Sequence, residues 1–189
     1  MPADLQVVDL RSVEPPLAES LAGLLSSVWP DSSQTFDERV AGLLHDWKSY
    51  AGPAQQFPRA FVVLEEGQPI AHAGLVPREV RAPGHAVTVG ALGGVCARPD
   101  RRGQGLGVAV VQASFALVDE GVFPYVLFQN YRDYQPFYEK LGARVIDNRI
   151  YNSLAEDPQA NPFWADVAMV YAGGNDWPEG DLDLGGPGY

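Results

Sequence analysis

The chain has 189 residues, with 13 Lys and Arg against 24 Asp and Glu, a formal net charge of −11. That length suffices for one compact domain whose core needs no metal or disulfide staple. The acidic balance excludes a nucleic-acid or anionic-membrane surface, because both need a basic face, and it permits a cationic partner such as an amine.

Cys96 is the single cysteine, so no intrachain disulfide can form, which fits a reducing compartment and a cytoplasmic location. The histidines His45, His72 and His85 are scattered, and with one cysteine they make no zinc site, so no metal is expected. Residues 1–11 lack the basic stretch and apolar run of a signal peptide. No apolar run approaches the ~20 residues of a membrane-spanning helix.

In chain order, residues 5–10 mix apolar and polar side chains as a first strand does. Pro15 and Pro16 suit the first turn of a helix that carries Leu17, Leu21, Leu24, Leu25 and Val28, and Pro30 ends it. Asp37 and Glu38 favour the start of a second helix, with Val40, Leu43, Leu44 and Trp47 on one face. Residues 60–64 and 70–76 form a hairpin around Glu66-Gly67, and Pro83-Gly84 turns the chain into a third strand over 85–97.

Residues 108–118 are apolar almost all round, as in a helix buried on most of its surface. Residues 122–128 read as a strand, and 135–141 as a short helix stopped by Gly142. Strands over 143–154 and 163–171 complete an α+β sheet domain spanning residues 1–172, with no internal repeat. Residues 173–189 hold six Gly, two Pro, four acids and no base. This tail is expected to pack no core segment of its own. It is either disordered or laid over the body through Trp177, Leu182 and Leu184.

Chemistry concentrates in residues 95–107, Val-Cys-Ala-Arg-Pro-Asp-Arg-Arg-Gly-Gln-Gly-Leu-Gly, between a strand and a helix. Gly103, Gly105 and Gly107 let the backbone approach a ligand closely. The free amides and dipole of the next helix favour an anion, and Arg101 and Arg102 add positive charge. Together these suit a pyrophosphate. No Lys follows Gly107 as a P-loop requires, and the spacing is not that of a dinucleotide fingerprint.

Residues 98–107 resemble the acyl-CoA-binding motif of the GNAT N-acetyltransferase superfamily. Phe137-Tyr138-Glu139-Lys140-Leu141-Gly142-Ala143 is similar to that superfamily's second motif. Ile70-Ala71-His72-Ala73 also resembles the aminoglycoside 2′-N-acetyltransferase subgroup, whose strand glutamate falls at Gly93 here.

The resemblance implies a mixed, mostly antiparallel sheet with helices on both faces and a splayed central strand pair. It implies direct transfer of an acetyl group from acetyl-CoA to a small-molecule amine, with a homodimer as one assembly. The amides of Gly103, Gln104, Gly105, Leu106 and Gly107 would hold the pyrophosphate, with Arg102 and secondarily Arg101. Backbone groups of Val95 and Ala97 would pair with the pantetheine arm, with Cys96 between them pointing the other way. Asn130 would bind the CoA arm.

Tyr138 would be the general acid that protonates the leaving thiolate. With Gly93 in the glutamate's place, base candidates are Glu79, His72, Asp166 and the carboxylate of Tyr189. Trp29, Trp47 and Tyr50 are candidate walls for the acceptor. A non-catalytic acyl-CoA-binding or sensory domain is the alternative, motivated by Gly93.

Overall fold

A computed structural model describes residues 5–189; the first four residues of the 1–11 stretch lie outside it. The elements run β1 (Val7–Leu10), α1 (Pro15–Val28), α2 (Phe36–Ser49), β2 (Arg59–Glu65), β3 (Gln68–Ala82), β4 (His85–Ala97), α3 (Leu106–Asp119), β5 (Val126–Asn130), α4 (Gln135–Glu139), β6 (Arg144–Val145), β7 (Ile150–Tyr151), β8 (Val167–Tyr171) and β9 (Leu182–Asp183). Hydrogen-bonded neighbours follow the order β1-β2-β3-β4-β5-β8-β6. Only β4–β5 and β7–β9 are parallel among the registered pairs, so the sheet is mixed and mostly antiparallel.

The chain divides into two compact units, one of residues up to Val76 with Gly93–Ser114, the other of Pro77–Leu92 with Phe115–Tyr189. In the first unit, β1 pairs antiparallel with β2, and β2 with β3. Helix α1 carries Pro at its start and buries Ala18, Leu21, Ala22, Leu24 and Leu25, the stripe that 3.6-residue spacing predicts. Helix α2 opens on Thr35, whose side chain accepts from the Glu38 amide while the Glu38 carboxylate accepts from the Thr35 amide. Leu21 and Ala18 of α1, Trp47 of α2, and Ala60 and Val62 of β2 share one apolar core. At its edge Arg59, buried on β2, donates to Asp9 of β1 at 2.9 Å.

In the second unit, β5 pairs antiparallel with β8 along its whole length, and β8 with β6. Val89, Leu127, Ile146, Ile150, Phe163, Val170, Leu182 and Leu184 make its core. The segment 173–189, expected to pack no core segment of its own, contributes two residues to this core. Its β9 pairs with β7 and with Arg81 of β3, and Leu182 and Leu184 are 0% and 1% exposed.

Several expected strands differ in extent: that over 70–76 runs Gln68–Ala82, and that over 163–171 begins at Val167. The strand expected over 122–128 begins at Val126, because the Val122 and Phe123 amides both donate to the Leu117 carbonyl and close α3. The strand expected over 143–154 is two short pieces. Asn148 between them spends its side-chain amide on the carbonyls of Pro178 and Gly180, at 3.0 and 2.7 Å.

Candidate functional site

The loop after β4 belongs to the first unit. The Arg98 amide donates to the Ile70 carbonyl at 2.8 Å and fixes where the strand ends. A 3-10 turn over Pro99–Arg101 follows. Glu65, at the end of β2, accepts from Arg98 at 3.1 Å and Arg101 at 2.7 Å, and Arg98 also holds Asp100 at 2.7 Å. The Arg101 hydrogen bond leads the causes that hold the Glu65 carboxyl below its ordinary range. Arg102 is exposed and makes no ion pair among the described residues.

Gly103 and Gly105 both take φ +77, a left-handed conformation that strains residues with a Cβ. The Gly105 carbonyl accepts from the Ala109 amide at 3.0 Å and opens α3, while the 1%-exposed Leu106 anchors it. The first turn of α3 carries no acidic side chain. The amides at its start have no partner within the helix, and the helix dipole is positive there. Free amides, an uncommitted guanidinium and alternate left-handed glycines fit a pyrophosphate.

Val95 and Ala97 are half-buried, and Cys96 between them is buried against Leu24 and Leu25 of α1. Burial pushes the Cys96 thiol up to about 12, so it is no thiolate nucleophile. Pairing of β4 with β5 is confined to Gly90 and Ala91. The first unit thus brings together residues 95–97, Arg102 and 103–107.

Tyr138 and Asn130 belong to the second unit. Tyr138 sits on α4, 8% exposed, with its ring 4.7 Å from Phe128 and 4.8 Å from Phe137. Burial first, then the neighbouring Tyr134, raises its phenol well above the ordinary range, so at neutral pH it holds a proton and can donate it. Asn130 ends β5 opposite Val167, and its side-chain NH2 is buried without a partner.

Of the base candidates, Glu79 is exposed and paired with Arg81 at 3.1 Å. Asp166 accepts from the Arg132 amide at 3.0 Å. Tyr189 donates its hydroxyl to the Leu127 carbonyl at 3.2 Å, and its main-chain oxygen accepts from Gln129 at 2.7 Å. His72 is interior and bonds the Gly94 carbonyl. A Cβ at Gly93 would meet nothing within 4 Å. Of the expected acceptor walls, Trp47 belongs to the core, Tyr50 packs edge-on against Phe57, and Trp29 is 39% exposed.

The model of the acetyltransferase (GNAT) family matches residues 19–143. A GNAT family acetyltransferase from Brucella melitensis, solved in complex with acetyl-CoA, is 18% identical, with 95% of this chain and 94% of that one covered and a TM-score of 0.60. An acyl-CoA N-acyltransferase from Pseudomonas aeruginosa is 16% identical, over 89% of this chain and 100% of that one, at a TM-score of 0.60. A GCN5-related N-acetyltransferase from Kribbella flavida is 15% identical over 75% of this chain, at a TM-score of 0.59. This chain spans 33% of that protein's length. At such identities the likeness is one of fold. No curated protein sequence matches the chain.

Proposed function

We infer the function from one premise: this chain belongs to the acetyltransferase (GNAT) family. The reading best supported is transfer of an acetyl group from acetyl-CoA directly to the primary amine of a small molecule, in a reducing, cytoplasmic setting. The observation that carries it is the 98–107 loop. Its Arg98 and Arg101 are tied to Glu65, while Arg102, in the same loop that leads into α3, makes no ion pair among the described residues.

Acetyl-CoA would supply the acetyl group as a thioester. Arg102 and the amides of residues 103–107 would hold its pyrophosphate. The backbone of Val95 and Ala97 would lie along the pantetheine arm, with Asn130 as a further polar contact. As the amine nitrogen bonds the carbonyl carbon, the C–S bond breaks. Tyr138 would give its phenolic proton to the departing sulfur and recover one from solvent, which also takes up the proton lost by the amine. Residues 70–73 place aminoglycosides on the acceptor panel. Gly93 favours a second reading, a non-catalytic acyl-CoA sensor, because it offers no carboxylate.

The test is thiol release from acetyl-CoA in the presence of a panel of amines, aminoglycosides included. Amine-dependent release supports transfer; tight CoA binding with no release under any amine leaves the sensor. Tyr138→Phe should lower kcat by roughly 10²-fold, with CoA affinity within about twofold. An unchanged kcat removes Tyr138 from the reaction.

A further inference from the structure

His72 lies on β3 with 3% of its surface exposed, and its Nδ1 is 2.8 Å from the Gly94 carbonyl oxygen. A carbonyl oxygen only accepts, so in the neutral ring Nδ1 carries the proton and Nε2 is a bare lone pair. Nε2 is buried with no hydrogen-bond partner. Burial lowers the imidazole pKa against the opposing pull of the Gly94 carbonyl, which keeps the ring neutral. Its neighbouring titratable group is Cys96, whose buried thiol is neutral.

The ring fits because two neighbours have no side chain. A Cβ on Gly74 would come within 3.2 Å of the imidazole, and one on Gly94 within 3.1 Å. Leu25 of α1 closes the same side, 3.5 Å from the Gly94 Cβ position. Gly94 itself takes φ +61 inside β4. A left-handed residue within a strand behaves as a bulge and re-aims the groups beside it.

A peptide unit is planar, and no peptide bond is cis among the described residues, so the Gly94 C=O and the Val95 N–H point opposite ways. Holding the carbonyl on His72 therefore fixes the amide on the other side. A glycine in this conformation has no side chain of its own to hold it, which makes an outside anchor effective.

We propose that His72 is a positioning residue: by pinning the Gly94 carbonyl it aims the Val95 N–H at the thioester carbonyl oxygen. Negative charge develops on that oxygen as the amine adds, and a preorganised donor stabilises it. The role rests on the acetyl-transfer reading above.

The test uses the full chain. His72→Leu removes the donor, and His72→Asn keeps one near the Nδ1 position. Losing an oxyanion donor outright costs ~10²–10³ in kcat, so misaiming one should cost roughly tenfold. His72→Leu is expected to show that loss with an unchanged KM for acetyl-CoA, and His72→Asn to recover most of it. A merely structural role would instead lower melting temperature and leave kcat alone. Wild-type kcat in His72→Leu, or equal losses in both variants, overturns the proposal.

Should His72→Leu not fold, nitrogen-15 NMR of histidine-labelled wild-type protein decides. A protonated Nδ1 with a bare Nε2 supports the anchor, and a protonated Nε2 overturns it. Wild-type protein that releases no thiol with any amine brings down the transfer reading itself. That outcome is separate from the tautomer result.

Discussion

Arg101 and Arg102 are neighbours in sequence and differ in what they can still bind. Arg101 gives its guanidinium to Glu65 at 2.7 Å, while Arg102 has no such partner among the described residues. The Glu65 carboxylate is held below its ordinary range, first by the Arg101 hydrogen bond and, with lesser causes, by Arg98. A group with a lowered folded pKa stays charged until pH falls through that value, so this clamp is complete at neutral pH. A charge-assisted hydrogen bond contributes about 1.5–3 kcal/mol. Arg102→Gln should therefore weaken acetyl-CoA binding roughly tenfold, and Arg101→Gln by less than about threefold. Calorimetric titration with acetyl-CoA separates them; equal losses would mean that the clamp opens and both side chains reach the ligand. The motif around these arginines is legible because its residues are contiguous. Glu65 is not, since it lies 33 and 36 residues before the arginines it binds.

Elements were legible where their ends are marked locally. Strand β4 runs over residues 85–97, as read from the Pro83-Gly84 turn before it. Helix α2 was read from its apolar spacing and its first-turn acids, but its start is set by Thr35, the signature Thr-x-x-Glu of a capping box. Two orphan amides are satisfied there reciprocally, so Thr35→Ala should cost ~1 kcal/mol, and Thr35→Ser much less. Thermal unfolding of the two variants checks it. A Thr35→Ala protein as stable as wild type would show that packing of Trp47 alone holds the helix. The break between the pieces at 144–145 and 150–151, read as one strand over 143–154, was not legible, because their partners are β8 and the distant β9. His72 and Gly94 stand 22 residues apart, so neither announces the other.

At the scale of the molecule, the charge of −11 and the tail are one subject. Of 24 acids, four lie in residues 173–189, leaving 20 against 13 bases, or −7, for residues 1–172. One of those four does not face solvent. Burial would raise the pKa of Asp183, but its carboxylate accepts from the Ser153 and Gly185 amides at 2.9 Å each. With Arg81 adding to these, the balance lies below its ordinary value. Asp183 thus stays ionised at neutral pH and loses its role only as pH falls through that lowered value. On either side of it Leu182 and Leu184 enter the core, and Arg78 donates to the carbonyls of Leu184 and Pro187, at 3.3 and 2.8 Å. Leu182 and Leu184 left this packing open in the sequence, but two leucines in 17 residues carry no periodicity to decide it. Leu184→Ala should then destabilise by about 2–5 kcal/mol, as core truncations do. The exposed Asp181→Asn should stay within about 0.5 kcal/mol. Urea unfolding at unchanged m-value reads both as shifts of midpoint. If Leu184→Ala shifts no more than Asp181→Asn, the segment lies on the second unit without belonging to its cooperative core.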